Sequence, residues 1–403
     1  MSEETLRKIY EEGYFDDIRP YKDEEVQPVL KGLLSDPETG PMFAGLLRQI
    51  GADPEALSHL KTLREVKEHA IAPVLRDLMS KTSFSVTSSG KSGLDATGTK
   101  KYTFVSNHRD IILDSALLNL ILLDAGMPMP EIAIGDNLLL MPWIRQVVRL
   151  AGAFIVKRSV GVREMLTESK RLSSYMRQNI TEGHASQWIA QREGRAKDWN
   201  DRTQASVLKM LDMSSEGGQS ISGSLMELNI VPVAFSYEYD PCDYLKALEL
   251  LQKARGTYRK EHKISDLLSM KTGLMGYKGR VHIAICDPIN DLLGQKEEEL
   301  AGLPKNDQLR LIAELIDDNI FGHYRFYPSN YIAYDLLHGA NGNSNLYSKR
   351  ERLQFELYLE DQLDKLREFK EAKGERDFLY MRLLEMYAYP LKNHKELKRR
   401  SGK

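Results

Sequence analysis

The residues best suited to chemistry in this 403-residue chain lie in one stretch, Val105-Ser106-Asn107-His108-Arg109-Asp110-Ile111-Ile112-Leu113-Asp114. An apolar, strand-like run from Tyr102 to Val105 ends there, and a helical apolar pattern (Leu117, Leu118, Leu120, Ile121, Leu122) follows. A histidine at a strand-to-helix junction is well placed to act as a base. Its ordinary pKa lies near neutrality, and a carboxylate partner can fix its tautomer and stabilise its protonated form. The plain alternative is a turn with a histidine and acidic caps on the next helix. Asp110 and Asp114 both compete for the partner's role.

Two other motifs claim nearby residues and fail. His108-Arg109-Asp110 mimics the protein-kinase catalytic loop, but the asparagine required five residues after the aspartate is Ser115. Ser89-Gly90-Lys91-Ser92 looks like the end of a phosphate loop, yet the glycine expected five residues before Gly90 is Ser85.

Three further segments bear on the histidine. Gly152-Ala153-Phe154-Ile155-Val156-Lys157-Arg158-Ser159 reads as a buried strand emerging into two cations. Ile189-Ala190-Gln191-Arg192-Glu193-Gly194-Arg195-Ala196-Lys197-Asp198 is an apolar run into a charged turn. Ile230-Val231-Pro232-Val233-Ala234-Phe235-Ser236 is a buried strand containing a proline. Together, in this order, the four segments resemble the four blocks of the glycerolipid acyltransferase family, over about residues 80–290. That family moves acyl chains onto glycerol-3-phosphate or its monoacyl form.

The chain departs from the family pattern in two places. Five residues instead of four separate His108 from Asp114, and Gln191-Arg192 replaces the usual aromatic-proline before Glu193. At 100° per residue neither spacing puts the pair on one helical face, so a turn leading into the helix must bring them together. A turn can absorb one extra residue, and Asp114 is therefore preferred over Asp110.

The resemblance implies an α/β fold and an O-acyltransferase. His108 is the expected catalytic base and Asp114 its orienting partner. Arg158 and Arg195 stand at the positions that bind the acceptor's phosphate, Arg109 adds a third cation, Glu193 positions an arginine or the acceptor, and Gly194 lets the backbone approach substrate. The expected partners are an acyl thioester donor (acyl-CoA or acyl carrier protein) and a lysophospholipid or glycerol-phosphate acceptor. Among acceptors, 1-acylglycerol-3-phosphate is preferred and glycerol-3-phosphate comes next. No metal or cofactor is expected, because the donor brings its own activated bond. The competing class is a lipid- or membrane-binding protein without turnover on the same fold; the two differ in whether a carboxylate reaches His108.

Composition agrees with a globular chain: 42% hydrophobic, 28% charged, net charge −2, which gives no case for nucleic acid. Cys242 and Cys286 lack metal-ligand spacing and read as reduced thiols. The first residues are acidic without a secretory pattern, and no apolar run approaches the roughly 20 residues of a membrane span. A cytoplasmic protein that meets the inner face of a membrane peripherally is the expectation. The segment Leu138–Leu150 groups Trp143, Val147 and Leu150 on one helical face and Arg145 with Arg149 on another. Such a face suits either the core or a bilayer interface.

Three regions must position these residues. Residues 1–80 read as helical, with polar breaks near 36–41 and 51–54. Residues 81–290 alternate seven short apolar strands with helices, which predicts a mixed sheet flanked by helices. A charged insertion, 237–270, interrupts this region and contains a helix from Tyr244 to Arg255. Residues 291–403 read as a highly charged helical extension with a basic end.

Overall fold

The seven apolar segments of the middle region become one mixed sheet. The computed structural model describes residues 13–49, 51–139, 141–215, 217–259, 263–339 and 342–402. Leu140, the first twelve residues and part of the charged insertion (260–262) lie outside the described residues. The strands are β1 (Ser85–Ser89), β2 (Thr103–Ser106), β3 (Glu131–Gly135), β4 (Ala153–Val156), β5 (Gln187–Ala190), β6 (Ile230–Tyr237) and β7 (Arg280–Ile285). They lie in the order β1-β7-β6-β2-β5-β3-β4. The β6–β7 pair is antiparallel and the other pairs are parallel.

All positions of β2 and β6 are buried. Strands covered on both faces need no polar side, which explains their unbroken apolar runs. Pro232 is tolerated inside β6 because its carbonyl faces β7 and accepts from the Cys286 amide at 2.9 Å. The donor it lacks would point the same way, past the last β6–β7 pair, Val233–Ile285.

The C-terminal helices cover both faces of this sheet. Phe104, Val231 and Phe235 share one cluster with Leu359, Leu363, Leu383, Met386 and Tyr387. Val105, Ile230 and Ala234 share the other with Leu309, Ile312, Ile316 and Ile320. Alternate side chains of a strand point to opposite faces, so each face needs its own cover. The helix Lys305–Gly322 supplies one, and Lys349–Lys365 with Arg376–Arg400 supply the other.

The N-terminal helices Asp23–Ser35 and Gly40–Gln49 pack elsewhere, on the helix Pro142–Leu150. Leu150 is buried in their cluster, with Trp143 and Val147 packed against it and Trp143 beside Phe43. Arg149 donates to the carbonyls of Arg19 and Asp16, each at 2.7 Å, and Arg145 donates to that of Asp17. The interfacial alternative for this face is thereby corrected. Its apolar stripe is covered by protein, and its arginines close the N-terminal turn instead of facing lipid. Among the described residues no helix is long and apolar enough to cross a membrane. Cys242 and Cys286 are buried free thiols.

Candidate active site

The parallel strands β2, β4 and β5 all deliver their following loops to one edge of the sheet, the carboxyl edge where α/β sheets present their ligand sites. His108 follows β2, Arg158 follows β4, and Glu193, Gly194 and Arg195 follow β5. The chain leaves β2 through Asn107. Its side chain accepts from the Phe235 amide at 2.8 Å and donates to the Phe235 carbonyl at 3.0 Å, so a side chain replaces the next rung of the β2–β6 ladder. This releases the backbone from the sheet one residue before His108.

Asp110 then starts the next helix. Its Oδ1 accepts from the amides of Ile112 and Leu113, both at 2.8 Å, ahead of the helix Leu113–Asp124. Burial, with the negative Asp114 beside it, raises the Asp110 pKa. Gly273 of the helix Lys263–Met275 packs on this carboxylate, and a Cβ there would lie 2.0 Å from Asp110 Oδ2.

Asp114, in the first turn of the helix, reaches back to His108. His108 Nδ1 lies 2.9 Å from Asp114 Oδ2. The same oxygen accepts from the amides of Arg109 (2.7 Å) and Asp110 (3.0 Å), and Oδ1 accepts from the Tyr237 hydroxyl at 3.0 Å. A carboxylate surrounded by donors makes Nδ1 a donor too, which leaves the lone pair on Nε2. The imidazole edge rests against Trp188, ring centroids 5.8 Å apart, and the histidine keeps 13% of its side-chain surface exposed. The turn does what helical spacing cannot: six residues apart in sequence, the two groups meet because the backbone curls around the carboxylate.

The structure turns Arg109 inward. Its guanidinium pairs with Asp201 through both terminal nitrogens, at 2.6 and 3.1 Å, and lies 4.0 Å above the Trp199 ring. Asp201 is fully buried and also accepts from Asn107 at 3.3 Å and from the Tyr324 hydroxyl. Trp199 holds this position at φ 58°, a strained left-handed conformation for a bulky residue. Arg109 therefore braces the histidine turn, its charge committed to Asp201.

Arg195 is different. It is only 7% exposed, has no ion-pair partner among the described residues, and its Nη1 is buried without a hydrogen bond. Its charge is felt by the Asp110 and Asp240 carboxyls, which places it on the histidine side of the edge. Gly194 before it adopts φ +68° with open space around its Cα, a turn few other residues enter without strain. The Glu193 amide is held by Gln204 Oε1 at 2.8 Å. Lys197 pairs with Glu249 at 2.6 Å, and burial lowers its pKa to about 8. Lys157 pairs with Asp17 at 2.6 Å. Arg158 is exposed, with its amide on Asp136 at 3.0 Å and its side chain without an ion-pair partner among the described residues. β4 is three strands from β2, so Arg158 and His108 start about 14 Å apart.

Sequence reading missed Tyr237, Asp201, Trp199, Asp240 and Lys246. Lys246 donates to the Arg109 carbonyl at 2.8 Å and pairs with Asp240. Its one signal was a lysine near the Asp243–Ala247–Leu251 face of an amphipathic helix. The others carry no local signal, since their hydrogen-bond partners lie up to 147 residues away in sequence.

Residues 85–235 match the family model described as Acyltransferase. Over 184 residues the chain is 24% identical to the dihydroxyacetone phosphate acyltransferase of Bos taurus and 23% identical to that of Homo sapiens. These matches cover 46% of this chain and 25% of each relative, so the chain spans about a quarter of the length of the curated relatives it matches. Residues 85–235 thus form a domain of the acyltransferase family.

Proposed function

We propose that this protein transfers a fatty acyl chain from a thioester to the hydroxyl of a phosphate-bearing, glycerol-type acceptor, with His108 as general base. The observation that carries the reading is the 2.9 Å contact between His108 Nδ1 and Asp114, with Nε2 left for substrate. In this mechanism Nε2 takes the acceptor's hydroxyl proton as its oxygen attacks the acyl carbonyl. Asp114 stabilises the imidazolium that forms, as the carboxylate does in a serine-protease triad, while the acceptor supplies the hydroxyl. The tetrahedral adduct then collapses, the carbon–sulfur bond breaks, and the imidazolium returns the proton to the leaving thiolate.

The developing oxyanion needs donors. The amides of Arg109, Asp110, Ile112 and Leu113 are already engaged by carboxylates. We therefore favour the Gly194–Arg195 turn for this task. The buried, unpartnered Nη1 of Arg195 supports a role in phosphate binding, with Arg158 as a second cation. The preferred acceptor remains 1-acylglycerol-3-phosphate, then glycerol-3-phosphate. Dihydroxyacetone phosphate, named in the relatives, shares the hydroxyl and phosphate and joins the candidates. The non-catalytic lipid-binding alternative is less favoured, because a carboxylate does reach His108.

A lipid acceptor has to be met at a bilayer surface. With the Trp143 face covered, we favour the exposed Leu267, Leu268, Met275 and Tyr277, on and just after the helix that packs on Asp110. The test is transfer of labelled acyl groups from acyl-CoA and from acyl carrier protein to the three acceptors, with His108→Ala alongside. Transfer to none of them, or equal transfer by the variant, would overturn the reading. A Leu267→Glu, Met275→Glu protein that co-sediments with anionic vesicles as well as the unaltered protein does would remove this surface from it.

A further inference from the structure

We infer that Lys246, which lies outside the matched domain, is a positioning residue for His108. The inference rests on the acyl-transfer reading above and names a part of its machinery. The peptide joining Arg109 to Asp110 is gripped at both ends. Its N–H donates to Asp114 Oδ2 at 3.0 Å, and its carbonyl accepts from Lys246 Nζ at 2.8 Å. Asp114 is the group that holds the imidazole. An ammonium on the carbonyl polarises the peptide and strengthens its N–H as a donor. The charge of Lys246 thus acts on Asp114 through one peptide and fixes the plane of the turn that carries His108.

Lys246 is 1% exposed. Burying a lysine is costly unless it is paired and hydrogen-bonded, and Asp240 meets that need. Asp240 is itself fixed on several sides. Its carboxylate accepts from the Cys242 amide at 2.9 Å and from Trp199 Nε1 at 3.2 Å, and its own amide donates to the Tyr387 hydroxyl at 3.0 Å. Trp199 is the ring beneath Arg109, so the same cluster touches the turn a second time. Tyr387 belongs to the last helix, and with Tyr358 it donates to Asp243, each at 2.7 Å. The C-terminal helices therefore hold Lys246 at the turn.

The test uses the full chain with Lys246→Met, which keeps length and removes charge. A Lys246→Met, Asp240→Asn protein accompanies it, because it avoids leaving one buried charge unpaired should the single variant fail to fold. The expected result is a kcat lowered about tenfold or more with the acceptor KM within about twofold. On a His108→Ala background the same change should cost less than about twofold, because a residue that acts through His108 has nothing left to position. An equal loss on both backgrounds, or a KM that rises in step, would make Lys246 merely structural and overturn the inference. A second readout needs no turnover: the rate at which diethyl pyrocarbonate modifies His108, followed by mass spectrometry with exposed His184 as the internal reference. The variants should change the His108 rate several-fold and leave that of His184 alone. If the wild type transfers no acyl group, the acyl-transfer reading has failed, and this rate still decides. An unchanged His108 rate then overturns the positioning role.

Discussion

Two histidines sit on this sheet in opposite circumstances. His282, in β7, has both ring nitrogens filled by hydroxyls of β1. Thr87 Oγ1 lies 2.8 Å from Nδ1 and Ser89 Oγ lies 3.0 Å from Nε2. Thr87 gives its own proton to the Val281 carbonyl, so Nδ1 donates to Thr87 and Ser89 donates to Nε2. Burial, and secondarily the positive Arg325, lower the His282 pKa. Nothing around His282 gains when it is protonated. His108 has a carboxylate on one nitrogen and an open second nitrogen at the sheet's carboxyl edge. A like contrast separates Arg109, paired with Asp201, from Arg195, which has no ion-pair partner among the described residues. Filled groups build the scaffold; open groups are free to act on a substrate.

The largest test of that contrast is His108→Ala against His282→Gln. The first should lower acyl transfer by at least about a hundredfold while the protein stays folded. The second should leave turnover within about twofold. Comparable losses in both would erase the distinction.

Next in size is the carboxylate. Asp114→Asn replaces a carboxylate oxygen that takes three donors and should cost well over tenfold in kcat. Asp110→Asn keeps an Oδ1 that can still cap the helix and should cost far less. A more damaging Asp110→Asn would mean the histidine works with the wrong partner here.

The two arginines extend the comparison to binding. Arg195→Met should raise the acceptor KM by the loss of a charge-assisted contact, about 1.5–3 kcal/mol, with the donor KM little changed. Arg158→Met should act in the same direction and less, since that side chain is exposed. Normal acceptor saturation in both would remove them from the phosphate site.

The smallest effects are in stability against pH. His282 has a lowered pKa in the fold, so the unfolded chain binds more protons and stability falls as pH drops below about 6.5. Burial, and then the negative Asp240, push Asp243 up to about 7 from its ordinary 3.8. A raised acid pKa acts oppositely: its contribution is full below about 3.8, is lost progressively as pH rises, and is gone above about 7. Between pH 5 and 7 the two slopes oppose each other, so Tm should rise less steeply with pH below about 6.5 in His282→Gln, and more steeply up to about 7 in Asp243→Asn, than in the unaltered protein. A Tm profile unchanged in either variant would remove that residue from the account.

Much of this molecule is legible locally. Each of the seven strands lies within two residues of the apolar run that predicts it (84–87, 102–105, 132–134, 154–156, 186–190, 230–235 and 281–285), because the need to bury both faces writes itself into consecutive residues. The helix Asp243–Ala254 follows the periodicity read from Tyr244 to Arg255 for the same reason. The face of Trp143, Val147 and Leu150 was legible as a stripe, but what covers it was not. Its partners are Phe43 and Leu47, a hundred residues earlier.

The site divides along the same line. By itself the sequence determined that a histidine with nearby carboxylates ends a central strand, and that cations end two others. Those are facts of residue type and local pattern. Only the tertiary structure decided that Asp114 reaches the imidazole, that Arg109 is sealed against Asp201 while Arg195 has no ion-pair partner among the described residues, and that Lys246 of the charged insertion grips the histidine turn. Each depends on a backbone curl or on groups from distant elements meeting in a buried space. There the strength of a charge is set by its neighbours, and no spacing along the chain encodes who those neighbours are.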